Sequence, residues 1–322
     1  MLPVSIWRRM GGLAAVALCT VAYAILSGSA DIGPAELWQL AAGNGDAVAH
    51  TVVFDLRLPR VLTAFAVGAL LSLAGLLLQA LFRNPLADPY VLGVSGGAAV
   101  AALLALAAGA ATWMTQGAAA VGAAAAVALV WWLGAAGGTT RLLLAGVVIA
   151  ATCGAVVTLV LSLASASELR GMLFWLAGDL SWATWPRATL ALAIVATVLI
   201  TALARPLDVL ASGELRAQSV GLAARPARAA VVAGAALLAG AAVVSAGTIG
   251  FVGLLGPHIA RLLFRTAQHR IVAPATALLG GLIVALADTL ARTLLEPRQL
   301  PVGALLALVG APMFLSLLRR LR

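Results

Sequence analysis

The chain has 322 residues, of which 63% are hydrophobic and only 10% charged, with a mean hydropathy of +1.09. Soluble chains are about 45–50% apolar and about 25% charged, so lipid must replace part of the water here; a soluble enzyme, a disordered chain, a collagen and a disulfide scaffold are all excluded. The net charge of +9 rests on twenty Arg and no Lys, which removes a Walker A loop and a Schiff-base lysine, and the Arg residues lie in short gaps between apolar runs, as in a membrane protein with basic inner loops rather than a nucleic-acid patch.

A bilayer core takes roughly 20 apolar residues per helix. In chain order the sequence predicts ten spans, at 10–27, 61–82, 91–109, 117–136, 142–164, 188–204, 229–247, 250–265, 271–295 and 302–318. The fold expected is an all-α polytopic bundle, read as one transmembrane domain over 1–322. The first run follows Arg8 and Arg9 and precedes Ser27-Gly28-Ser29-Ala30, the pattern of a signal peptide; an uncleaved first helix is preferred. The eighth run, broken by Gly253, Gly256 and Pro257, reads as a shorter helix. Ten spans put both termini on one side. With the N-terminus inside, fourteen Arg fall inside and six outside, which obeys the positive-inside rule. Gly and Ala dominate the spans and let helix backbones approach closely. Trp131, Trp132, Trp175, Trp182 and Trp185 read as an interfacial belt.

Cys19 and Cys153 lie in apolar runs and read as small core residues. His50, His258 and His269 share no metal-ligand spacing, so no metal site is expected.

Two polar stretches stand out. The outer segment 28–60 carries a short amphipathic piece, Pro34 to Leu40, and ends in Arg57-Leu58-Pro59-Arg60. Its arginines read equally as snorkelling anchors or as a fork for an acidic partner. The inner segment 205–228 is too long for a plain connection. Ser212 reads as an N-cap, Glu214 as a first-turn acid and Gly221 as a C-cap, which predicts a short inner helix. Asp288, in the ninth span, is an intramembrane carboxylate with Arg292 four residues on, so an intrahelical pair that orients this arginine is expected.

Longer motifs then carry a resemblance. Arg57-Leu58-Pro59-Arg60, Arg83-Asn84-Pro85-Leu86-Ala87-Asp88-Pro89 with Leu92-Gly93-Val94-Ser95-Gly96-Gly97, Gly247-Thr248-Ile249-Gly250-Phe251-Val252-Gly253-Leu254 with Gly256-Pro257-His258-Ile259-Ala260-Arg261, and Leu300-Pro301-Val302-Gly303 with Gly310-Ala311-Pro312 resemble the FecCD family. These are permease subunits of type II ABC importers for iron chelates, haem and vitamin B12, and the resemblance covers roughly residues 50–318. It implies a homodimer in the bacterial cytoplasmic membrane, with both termini cytoplasmic, two ATPase subunits below and a substrate-binding protein above. ATP would be used by the partner subunit, and no cofactor would stay bound to this chain. The resemblance also assigns roles. Arg57, Arg60 and Arg292 would dock the binding protein. Ser212, Gly213, Glu214, Arg216, Ala217 and Gly221, in the segment 212–228, would couple to the ATPase. Thr139 and Thr140 would form the cytoplasmic gate, although two hydroxyl residues there read equally as a helix N-cap. Residues 169–176 resemble a short outer helix. His258 is expected to have a structural or inner-surface role rather than to be a haem ligand. The implied cargo is haem or another iron chelate, with cobalamin as the alternative.

Two rival readings come from other classes. Gly93-Val94-Ser95-Gly96 matches the Gly-x-Ser-Gly of rhomboid proteases, but Gly-rich stretches yield it easily and the rhomboid His motif is missing. An ion-coupled transporter needs buried ionisable coupling sites, for which Asp288 alone is thin support.

Overall fold

The computed structural model describes residues 4–28, 32–44, 46–181, 186–296 and 298–319. Ser29, Ala30, Trp182, Trp185, Arg320 and Arg322, used above for the signal-peptide pattern, the aromatic belt and the arginine count, lie outside the described residues. Inner and outer below follow the side assigned by the arginine distribution.

The helices run α1 Val4–Leu26, α2 Pro34–Ala41, α3 Ala47–His50, a π-helical stretch Thr51–Arg57, α4 Leu58–Phe82, α5 Val94–Ala107, α6 Thr112–Gly134, α7 Gly138–Leu163 and α8 Ala166–Ala177. They continue as α9 Pro186–Ala202, α10 Ala204–Ala211, α11 Glu214–Ser219, α12 Ala224–Ala246, α13 Val252–Phe264, α14 His269–Thr293 and α15 Val302–Arg319. Among the described residues, six helical segments are long and apolar enough to cross a membrane, the apolar α9 bends by 67° into α10 at its end, and α5, α13 and the apolar part of α15 are shorter. Together they correspond to the ten spans read from the sequence. The outer segment differs. The piece at Pro34 is helical as expected, but residues 47–57 are helical as well and continue through the π turn into α4. Their mixed polarity hides a helix that merely extends a span.

α4 is the axis of the bundle, and it packs against α9, α12, α13 and α14. Its glycines allow this. A Cβ on Gly68 would stand 2.0 Å from the Gly280 carbonyl oxygen, and one on Gly280 would stand 2.2 Å from that of Gly68. Gly97 of α5 and Gly122 of α6 show the same reciprocal contact, at 2.3 and 2.2 Å. In lipid, close backbone packing replaces the hydrophobic drive for helix association. The main core runs from Leu13 to Leu306, and Ile32, Leu40, Ala49 and Val53 form a second, smaller cluster within the outer segment. Three readings of single residues change. Cys19 is exposed on α1, and Trp175 is buried in the core rather than lying in a belt. Ser212 is not an N-cap: it ends α10, its hydroxyl donating to Val209 O at 2.7 Å, while Gly213 precedes α11. Gly213 adopts φ +116° there, a conformation open to glycine and strained for other residues.

Candidate functional site

The outer end gathers three predicted arginines, two of them around one carboxylate. Arg60 enters from the first turn of α4 and forks Asp288 on α14, with Nε at 3.0 Å and Nη2 at 2.8 Å from Oδ1. Asp288 is 1% exposed. The expected intrahelical pair is present too, with Arg292 Nε 3.2 Å from Asp288 Oδ2. The cross-helix fork from Arg60 is the new element, because no spacing rule links positions 228 residues apart. The remaining donors go elsewhere. Arg60 Nη1 donates to Gln299 Oε1 at 3.1 Å, and Arg292 Nη2 donates to Ala24 O at 3.2 Å. Arg57, at the end of the π turn, donates from Nη1 to Ile25 O and Leu26 O, both at 3.0 Å. The arginines thus tie α1, α4 and α14 together at their outer ends. Also on the outer side, α8 covers the helix expected at 169–176; the Glu168 carboxylate in its first turn accepts from the Ser165 hydroxyl and N–H, which lowers its pKa.

The inner end carries the coupling segment. α10 turns away from α9 and buries Ala204, Leu207 and Leu210. Asp208 on α10 accepts from the His269 backbone N–H at 3.0 Å and meets its Nδ1 at 2.6 Å, pinning α10 to the first turn of α14. α11 starts at Glu214, with Ala217 buried and Arg216 exposed. It ends as predicted at Gly221, where Leu222 N donates to Ala217 O at 2.9 Å and Gly221 N to Gln218 O at 3.0 Å, a Schellman ending with φ +81°. The sequence reading missed Leu215, which is 85% exposed on this segment. An apolar side chain among polar neighbours is the signal that marks it.

Thr139 and Thr140 lie in the first turn of α7, but the N-cap position is Gly137 and neither hydroxyl caps the helix. Thr139 lines a small polar recess with Leu81, Arg83, Leu210, Ala224 and Arg228, where α4, α7, α10 and α12 meet. His258 is half-buried on α13. One turn on, Arg261 Nη1 donates to Gln79 Oε1 at 2.7 Å, and Gln79 Nε2 donates to Gly253 O at 3.2 Å. Gln79, a lone amide in an apolar helix, was also missed. Ser95 opens α5, and no described hydrogen bond joins it to His258 as a nucleophile to a base.

Residues 15–320 match the FecCD transport family. The chain belongs to that family. FecCD relatives include an ABC transporter permease of Bacillus subtilis (strain 168), YvrB, 39% identical over 86% of this chain and 81% of its own length. The vitamin B12 import system permease BtuC of Escherichia coli O127:H6 is 36% identical over 94% of both chains. Among solved structures, a metal-chelate type ABC transporter in an inward-facing conformation superposes with a TM-score of 0.85 at 29% identity, over 98% of this chain and 99% of that one. This FecCD chain is therefore a multi-pass ABC importer permease with the type II fold, a transport subunit by family rather than an enzyme.

Proposed function

We propose that this permease works as a homodimer in the bacterial cytoplasmic membrane, with both termini inside, moving a bulky metal chelate inward. Two ATPase subunits would bind the inner face, and a substrate-binding protein would deliver cargo to the outer one. The observation that carries this reading is the inner segment α10–α11. It is an ordered segment between α9 and α12, pinned by Asp208 to His269 and closed by Gly221, with Leu215 displayed at its surface. A plain connection needs none of this. The segment from Ser212 to Gly221, with Gly213, Glu214, Arg216 and Ala217, is the coupling element. Thr139 and Thr140 form the inner gate beside it. The arginine cluster of Arg57, Arg60 and Arg292 is the outer docking face.

ATP binding draws the ATPase subunits together, and the coupling element passes that movement to the bundle. Outward and inward states then exchange by differential affinity for the partners. ATP stays with the partner subunit, and this chain keeps no cofactor. A pathway that binds cargo tightly would trap it, so selectivity rests with the binding protein.

Haem or another iron chelate is the cargo proposed. Cobalamin is the second reading, favoured by the similarity to the vitamin B12 permease. The test is to purify the tagged chain from native membranes in mild detergent and identify its partners. An ATPase subunit in equal copy number, lost in the double variant Glu214→Ala, Arg216→Ala, is expected. A chain that purifies alone, without ATP hydrolysis, would sink the proposal.

A further inference from the structure

The inner segment is attached to the bundle unequally. α10 leaves α9 through a bend of 67°, off the line of the span before it, and meets the start of α14. The first N–H groups of a helix have no partner within it, and Gln268, the N-cap residue of α14, supplies no side-chain cap. Asp208 supplies one from another helix. Its Oδ1 accepts the His269 backbone N–H at 3.0 Å and meets the His269 Nδ1 at 2.6 Å, which places the ring proton on Nδ1. A carboxylate at this end also complements the helix dipole. His269 is 4% exposed, so the joint is made inside packed protein. α14 carries the hold into the axis of the bundle, because Gly280 and Gly68 bring it into backbone contact with α4.

Toward α12 the same helix is held more loosely. Leu203 and Leu207, together with Ala230, Val231 and Gly234 of α12, line an apolar groove of about 280 Å³. Further along, Leu210 of α10 and Ala224 of α12 border the small polar recess beside Thr139. Close-packed interiors transmit displacement with little give, whereas a groove that fluid lipid can fill yields. The chain itself runs from α10 to α12 through α11 and the turn at Gly221.

The geometry points to a mechanical role for this pair: Asp208 and His269 are positioning residues that make α10 travel with α14 and α4, while α12 shifts past α10 across the groove. A push on α11 then reaches the central helices through the carboxylate–imidazole joint rather than through α12, the next span in the chain. This rests on the reading that the α10–α11 segment meets an ATPase subunit.

The test uses the ATPase-bound transporter in lipid nanodiscs, in a background of Cys19→Ser and Cys153→Ala. Spin labels go on exposed positions: Arg205→Cys on α10 is paired either with Arg270→Cys on α14 or with Ala230→Cys on α12. Each distance is measured by electron paramagnetic resonance, without nucleotide and with ATP and vanadate, in assemblies holding one labelled chain. The 205–270 distance is expected to hold within about 1 Å and the 205–230 distance to change by about 2–5 Å, the range of helix shifts in switching proteins. His269→Phe keeps an aromatic ring and removes the donor, and is expected to let the 205–270 distance change with nucleotide. His269→Asn returns a donor, Nδ2, to the place of Nδ1 and is expected to hold that distance constant again. A wild-type 205–270 distance that changes as much as 205–230 would overturn the inference. So would ATP hydrolysis with neither distance changing, or a His269→Phe variant whose 205–270 distance stays fixed. A chain that purifies without any ATPase subunit would instead remove the coupling reading beneath it.

Discussion

The Tyr90 hydroxyl satisfies both backbone groups of Ile249, accepting from its N–H at 2.9 Å and donating to its carbonyl at 3.0 Å. Tyr90 sits in the one-turn 3-10 helix Pro89–Leu92, and Ile249, 1% exposed, belongs to the bend between α12 and α13. One phenol thus joins two irregular segments whose backbone groups have no helix to serve them. Buried irregular backbone requires such partners. Tyr90→Phe keeps the ring and leaves an N–H and a C=O buried without them. We expect a loss of about 1–3 kcal/mol, read as a lower melting temperature in detergent. A variant as stable as wild type would show that the bend repairs itself.

Asp288 is the counter-ion of two arginines, at 2.8 Å from Arg60 and 3.2 Å from Arg292. Asp288→Asn preserves shape and removes the charge, leaving two guanidinium groups facing each other in a buried site. The expected loss is about 3–5 kcal/mol, enough to cut the yield of folded protein sharply. The double variant Asp288→Asn, Arg60→Gln should recover part of it, and thermal melts of the three proteins in one lipid would measure the coupling.

Close helix crossings should tolerate no added side chain. Gly280→Val places carbon against the Gly68 carbonyl oxygen, 2.2 Å away from even the first added atom, and should cost about 3 kcal/mol. Gly117, exposed on α6, has no atom within 4 Å of a built Cβ, so Gly117→Ala should gain about 0.5–1 kcal/mol. Opposite shifts in melting temperature are the expected result, and equal shifts would contradict the crossing geometry.

Asp88 lies between α4 and α5, where burial pushes its carboxyl up to about 6 although the Tyr90 N–H bond pulls the other way. A carboxyl whose native pKa is raised binds its proton more tightly when folded. Its contribution to stability is complete below about 4 and lost as pH rises through 6. Asp88→Asn, which keeps the acceptor for Tyr90 N–H, should therefore stabilise the protein at pH 7.5 and have little effect at pH 4. Melts across that range test the sign.

Much of this protein was legible as a line of residues. Hydropathy marks where the chain is apolar for long enough to span, and arginine placement sorts the gaps, because both are properties of local composition. The brake at Gly221 was legible for the same reason, since a left-handed ending is a local need that glycine meets. Ser212 was misplaced because a hydroxyl can end one helix as readily as start the next, and only the position of α10 decides between them.

What composition could not decide was which apolar helix faces protein and which faces outward. The helical segment Ala47–Phe82 and α7 are similarly hydropathic, yet 89% of the first one's apolar window is buried and 11% of the second's. Lipid and a neighbouring helix are equally apolar surroundings, so hydropathy is blind to the difference, and backbone proximity at Gly68, Gly75 and Ser72 settles it. The partners of Asp288 divide in the same way. Arg292 followed from the helical repeat, whereas Arg60 reached the carboxylate only because α4 and α14 cross closely enough to bring their outer ends together.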